Sequence, residues 1–290
     1  MKKRSRKDIE IHVRKILNSD FFGAYHSHFL WNGLDFRDLR EYVPGDSVKR
    51  IDWKTSARSN EIFIKNFEQE RDLHLIFILD LSAPMTFWSA YKTKSETLLE
   101  IFYLLSFAAV QSWDKVWAYI FNGNIHNYFE AKSWEENLQV IAKACEEMQN
   151  IQVKNNTRSF LTHHINNLEK LKLHNSLLCF CTDNVEIESK QLKWLNVKNQ
   201  ILFCNIFDSF ENDLWEEKYF LHFQSGHWSI LSNFQSQTKK RKYRTLRQEK
   251  IKSLKKNMRL SHIDHLEFDE NTNMYIHFLQ HFQQSQLWKK

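Results

Sequence analysis

Three short runs constrain this chain more than anything else in it: LHLIFILD (73–80), SLLCFCTD (176–183) and QILFCNIFD (200–208). Each is almost continuously apolar and each stops on an aspartate. A strand with one wet face alternates apolar and polar residues; a run without alternation suits a strand buried on both faces, as in a parallel sheet. Between the runs lie helical patterns. Thr93-Lys-Ser-Glu96 is a capping-box pattern that opens the apolar stretch Thr97–Val110, and Ser133-Trp-Glu-Glu136 opens a helix to about Gln149. A helix is also expected over Ser159–Leu171, a strand over Lys115–Asn122, a last strand over His262–Phe268 and a closing helix over Met274–Gln284. Strands alternating with helices predict an α/β fold with a mainly parallel sheet covered on both faces.

Outside that pattern, residues 8–18 space Ile9, Val13, Ile16 and Leu17 as an amphipathic helix. A loop-rich stretch with Gly23, Gly33 and Gly45 is expected next, ending in a strand around Ile62 and Ile64. Two alternating runs around Ser225-Gly226 predict a hairpin within 219–231. The organisation expected is an N-terminal segment over 1–72 and an α/β domain over 73–290 carrying the hairpin and a basic helix. With 290 residues, 23 Phe and 10 Trp, the chain can bury a large core. The start is basic but has no apolar region behind it, and no uncharged run is long enough to span a membrane, so a cytoplasmic protein is expected.

The net charge of +6 is concentrated in one place. Lys239–Arg259 holds eleven Lys and Arg against one Glu, a local +10 that leaves the remainder at −4. As a helix, this segment carries Tyr243, Leu246, Ile251, Leu254 and Met258 as an apolar stripe. Lys239, Lys240, Arg241, Lys242, Arg244 and Arg247 form a basic patch at its start. A surface helix docked through that stripe is the plain reading. Binding to nucleic acid or an anionic surface is the alternative, with little base stacking, since Tyr243 is the one aromatic residue there.

In an open α/β sheet, ligands bind at the carboxyl ends of the strands. Asp80 and Ser82 end the first run, Asp183 ends the second, and Thr157 and Ser159 lie in a polar loop ahead of a helix. Carboxylates and hydroxyls are hard oxygen donors suited to Mg²⁺ or Ca²⁺; the plain reading is that they cap the following helices. The four cysteines read as buried thiols, and His262, His265, His277 and His281 as a chance cluster. No Gly-rich phosphate loop, G-x-S-x-G or H-E-x-x-H occurs, so no enzymatic activity is expected.

The element order resembles the von Willebrand factor A-like fold, whose metal-ion-dependent adhesion site follows the first strand as D-x-S-x-S. Here that stretch is Asp80-Leu81-Ser82-Ala83-Pro84, with Pro84 in place of the last hydroxyl. The resemblance maps the distant hydroxyl to Thr157 or Ser159 and the later carboxylate to Asp183. It implies a degenerate site for Mg²⁺.

A second resemblance is carried by GLDFRDLREYVPGDSVKRIDWKTSAR (33–58). Gly33, Asp35, Phe36, Leu39, Arg40, Tyr42, Pro44, Gly45, Asp46, Arg50, Ile51, Asp52, Trp53, Ala57 and Arg58 match the signature of the domain of unknown function 58 family. The resemblance implies work beside a MoxR-type AAA+ ATPase as an adaptor for a client protein. Read physically, Pro44-Gly45 is a turn, and Asp35, Asp46 and Asp52 with Arg40, Arg50 and Arg58 can pair to pin the segment onto the sheet.

Overall fold

A computed structural model describes the chain outside residues 1–3, 31–33, 45, 47, 49–50, 60, 70–73, 87–91, 131–134, 152–159, 184–186, 188, 210–219, 226–227, 234–236 and 288–290. Within the described helices and strands some side chains, those of 34–40 and 220–233 among them, lie outside the description as well.

The long apolar runs form the centre. Strands β3 (His74–Asp80), β4 (Lys115–Asn122), β5 (Ile125–Phe129), β6 (Ser176–Thr182), β7 (Gln200–Ile206) and β10 (Asp264–Phe268) make one sheet in the order β10-β7-β6-β3-β4-β5. All neighbours are parallel except the edge pair β4–β5. β5 has no strong strand pattern of its own. It follows from the two-residue turn at Gly123-Asn124, where Gly123 has φ 62°, a left-handed conformation that glycine takes without strain.

Period-two alternation divides each run between two cores. Leu75, Phe77 and Leu79 enter one and Ile76 and Ile78 the other; Leu177, Cys179 and Cys181 oppose Leu178 and Phe180 in the same way. Burial on both faces is why these strands show no polar alternation.

The first core is covered by α1 (Arg6–Ile16), α2 (Ser19–Leu30), α4 (Lys94–Gln111), α5 (Glu135–Gln149) and α9 (Met274–Leu287). The second is covered by α6 (Phe160–Lys170), α7 (Ser189–Lys198) and α8 (Gln237–Leu260). The stretch expected to be loop-rich is largely structured. It contains α2, in which Gly23 sits mid-helix, then β1 (Leu34–Glu41), α3 (Trp53–Ser59) and β2 (Phe63–Gln69). Phe21 and Tyr25 of α2 are fully buried beside Phe282, which outweighs the modest helix cost of one glycine. β1 and β2 pair antiparallel, with a register shift between Phe36 and Asp38. The expected hairpin is β8 (Phe220–Ser225) with β9 (Trp228–Asn233), Ser225 facing Trp228.

The Thr93–Glu96 capping box is formed in full, with a second at Ser5–Asp8. Ser133 lies outside the described residues. Among the described residues no helix is long and apolar enough to cross a membrane.

Candidate functional site

The strand order sets the site. The chain leaves β3 toward β4 and β5, then returns to the other side of β3 for β6, β7 and β10. The reversal falls between β3 and β6, and at such a switch point the connections part to leave a crevice at the carboxyl edge. Asp80 ends β3 there, and Thr182-Asp183 ends β6.

Asp80 is 4% exposed. Its Oδ1 accepts the Ser82 backbone N–H at 3.0 Å, and its Oδ2 accepts the Thr182 hydroxyl at 2.7 Å. Burial, reinforced by the nearby charge of Asp183, pushes the Asp80 carboxyl up to about 6, against the hydrogen bonds from Ser82 and Thr182. A buried carboxyl displaced in this way at a switch point marks a functional-site candidate.

Asp183 is half-buried and receives the Lys94 ammonium at 3.2 Å on Oδ2. The Lys94 side chain is 2% exposed, so its charge is an internal one. Lys94 is the first residue of α4, and the capping box just described orients that turn toward the edge. Behind it, Glu100 takes Lys92 Nζ at 2.5 Å on one oxygen and Arg4 Nη1 at 2.6 Å on the other; Glu96 accepts the Arg4 backbone N–H at 2.8 Å. The N-terminal residues of the chain thus brace the helix that carries Lys94.

Asp80, Ser82 and Asp183 therefore gather as the sequence placed them. Pro84 sits in a 3-10 turn, Ala83–Thr86, whose backbone lies near that of β8. Thr157 and Ser159 lie outside the described residues. Thr182 and Lys94 were not anticipated. Thr182 had a signal, being the hydroxyl residue next to the strand-ending acid, and Lys94 sat inside a capping box read only for its caps.

In the signature segment, Asp46 and Asp52 make local hydrogen bonds. Asp46 Oδ2 accepts Val43 N–H at 2.9 Å across the Pro44 turn. Asp52 Oδ1 accepts Lys54 and Thr55 N–H at 3.1 and 3.2 Å, capping α3. The expected Arg–carboxylate pairing falls largely on Asp35, Arg40 and Arg50, whose side chains lie outside the described residues, as does Gly45. Tyr42 is half-buried and Arg58 exposed. Trp53 is 65% exposed, and Val43 and Val48 of the same segment are exposed as well.

The basic helix is α8. Its stripe is most deeply buried at the far end: Leu254 and Met258 enter the second core, Tyr243 and Ile251 are half-buried, and Leu246 is 49% exposed. Arg241 and Lys242 are exposed and Arg244 and Arg247 half-buried; the side chains of Lys239 and Lys240 lie outside the described residues.

All four cysteines are free and buried, and burial pushes each thiol up. The four clustered histidines do not converge. His265 stacks on Phe203, His277 packs on Phe268, and His262 sits in a turn at φ 53°.

The family described as "Protein of unknown function DUF58" matches residues 38–250. The uncharacterized protein Rv1480 of Mycobacterium tuberculosis is 25% identical over 115 residues, 40% of this chain and 36% of that protein. Mb1516 of Mycobacterium bovis, also uncharacterized, matches to the same extent. The uncharacterized protein YeaD of Bacillus subtilis is 43% identical over 42 residues, 14% of this chain and 11% of that protein. The chain thus aligns with about a third or less of the length of these curated relatives. A crystal structure of the conserved hypothetical protein BatB from Bacteroides thetaiotaomicron overlaps at a TM-score of 0.44 with 14% identity, over 75% of this chain and 100% of that one.

Proposed function

The chain belongs to the DUF58 family, and from that membership and the geometry of its carboxyl edge we propose that it is a non-catalytic adaptor. It contacts a partner protein at the switch point of a von Willebrand factor A-like sheet, and the partner is a MoxR-type AAA+ ATPase acting on a client. The observation that carries this reading is the set Asp80, Ser82, Thr182, Asp183 and Lys94. Both oxygens of Asp80 are committed to groups of the chain itself, so the carboxylate shapes the edge instead of meeting a substrate. Beside it, half-buried Asp183 holds the buried Lys94 ammonium as a fixed internal pair. Exposed Trp53 supports a second contact area, since aromatic side chains are favoured anchors in protein interfaces.

Mg²⁺ fits this constellation poorly. Asp80, Ser82 and Asp183 supply oxygens, but Pro84 replaces one hydroxyl, and an ammonium already lies against Asp183. In this reading the contact needs no ion, because buried Lys94 already supplies the positive charge that balances Asp183.

The test is capture of partners from native cytosol by the full chain, with ATP and Mg²⁺ present and with nuclease in a parallel sample. Recovery of an AAA+ ATPase that survives nuclease and is lost with Asp183→Ala is the expected result. Equal recovery by Asp183→Ala, or no ATPase at all, refutes it. The exposed cations of α8 favour one alternative, binding to nucleic acid. In that case nuclease releases the captured proteins, and affinity falls steeply with salt.

A further inference from the structure

The opposite edge of the sheet holds a different constellation. His28 near the end of α2, Asp264 at the head of β10 and His281 on α9 bring their ligand atoms within 4.8 Å of one another. Asp264 shares a strand face with Leu266 and Phe268, which enter the first core, so its side chain is directed toward the helices that carry both histidines. His28 is 3% exposed, and its ring lies 5.4 Å from that of His281 and 5.0 Å from that of Phe282.

Two features single this group out. His281 Nε2 is buried and has no hydrogen-bond partner, an unusual condition for a polar atom in a well-packed protein. The same nitrogen lies 3.7 Å from Asp264 Oδ2. That is too long for a hydrogen bond. It is close to the roughly 3.4 Å that separates two donors held tetrahedrally at about 2.0–2.1 Å from one metal ion.

We propose that His28, Asp264 and His281 form a three-ligand site for a zinc-class divalent ion. Two imidazoles and a carboxylate suit Zn²⁺, and the Asp264 side chain, 38% exposed, leaves the fourth position open to water. The ion joins α2 to β10 and α9, which lie more than 230 residues further along the chain, and so ties the N-terminal helices to the end of the fold. The site is independent of the carboxyl-edge reading, because Asp264 begins its strand whereas Asp80 and Asp183 lie at or just beyond the ends of theirs. The other three-ligand group among the described residues, Cys179, Cys181 and Cys204, lies wholly within the core, where burial pushes each thiol up.

The test uses the untagged full chain after chelation, titrated with Zn²⁺ by calorimetry and melted with and without the ion; Co²⁺ serves as a spectroscopic probe. Expected are one equivalent bound, a rise in Tm, and a Co²⁺ spectrum without intense thiolate bands. His281→Gln and Asp264→Asn should each lower the affinity at least tenfold and abolish the rise in Tm. Asp264→Asn keeps size and shape, so it remains informative if His281→Gln fails to fold. Asp80→Ala should bind as the wild type does. Absence of binding by the wild type, undiminished binding by Asp264→Asn, or thiolate bands that disappear with Cys204→Ser would overturn the proposal.

Discussion

Replacing Asp80 by asparagine should stabilise this protein at neutral pH, although it alters the most distinctive residue of the carboxyl edge. The Asp80 carboxyl is displaced from its ordinary 3.8 to about 6. A raised carboxyl binds its proton more tightly in the folded chain than in the unfolded one. Between about pH 4 and about pH 6 the native state therefore holds more protons, and stability falls as pH rises through that window. Above it the full cost is present. A shift of about two units corresponds to about 3 kcal/mol. Asparagine keeps an acceptor for the Ser82 N–H but presents an amide where the Thr182 hydroxyl now donates. That mismatch costs about 1 kcal/mol, leaving a net gain of about 2 kcal/mol, or about 3 °C in Tm.

The assay is urea unfolding of wild type and Asp80→Asn at about pH 4 and about pH 8. At the lower pH Asp80 is largely protonated, the electrostatic gain vanishes, and the variant should be equal to or slightly less stable than wild type. At the higher pH it should be more stable. A difference that does not change with pH, or a variant less stable at about pH 8, would refute the argument. In that case the hydrogen bonds to Ser82 and Thr182, and not the burial of charge, would govern the energetics of this edge.

Two further substitutions test neighbouring parts of the account. Lys94→Met leaves Asp183 uncompensated beside Asp80; breaking such a buried pair should cost about 3 kcal/mol at neutral pH in denaturant unfolding, and adding Asp183→Asn should recover part of it. On α8, Met258→Ala should lose about 2–5 kcal/mol, whereas exposed Leu246→Ala should change stability by less than about 0.5 kcal/mol; similar losses at both sites would mean that the whole stripe is docked.

The parallel sheet was legible because burial on two faces removes polar alternation. The runs from Leu75, Leu177 and Ile201 show this directly, and each ends where the chain turns out of the core. The capping box at Thr93 was legible because its two side-chain bonds are local. β5 was not, because an exposed edge strand such as IHNYF needs no apolar face and is held by its partner. α2 was hidden by Gly23, whose local cost is offset by the packing of Phe21 and Tyr25 against residues more than 250 positions away. The same distinction divides the site. Asp80 and Ser82 are two residues apart and could be paired by spacing. Lys94–Asp183, 89 residues apart, and Thr182–Asp80, 102 apart, exist only once the sheet has formed.

The amino end of α4 shows why this edge differs from the usual ligand site of its fold class. A helix N-terminus behind such a strand carries partial positive charge and unpaired N–H groups, which makes it a ready site for phosphate. Here the chain fills it. Thr93 Oγ1 takes the Glu96 N–H, while Glu96 returns bonds to the N–H groups of Thr93 and of Arg4. Arg4, Lys92 and Lys94 all crowd the same end, where cations are disfavoured by the helix dipole. They are tolerated because Glu100 engages the first two and Asp183 the third. Buried Glu96 and Glu100 thus supply the negative charge that an incoming phosphate would otherwise bring. With its donors and cations already engaged internally, this edge has less to offer a nucleotide than the fold class allows.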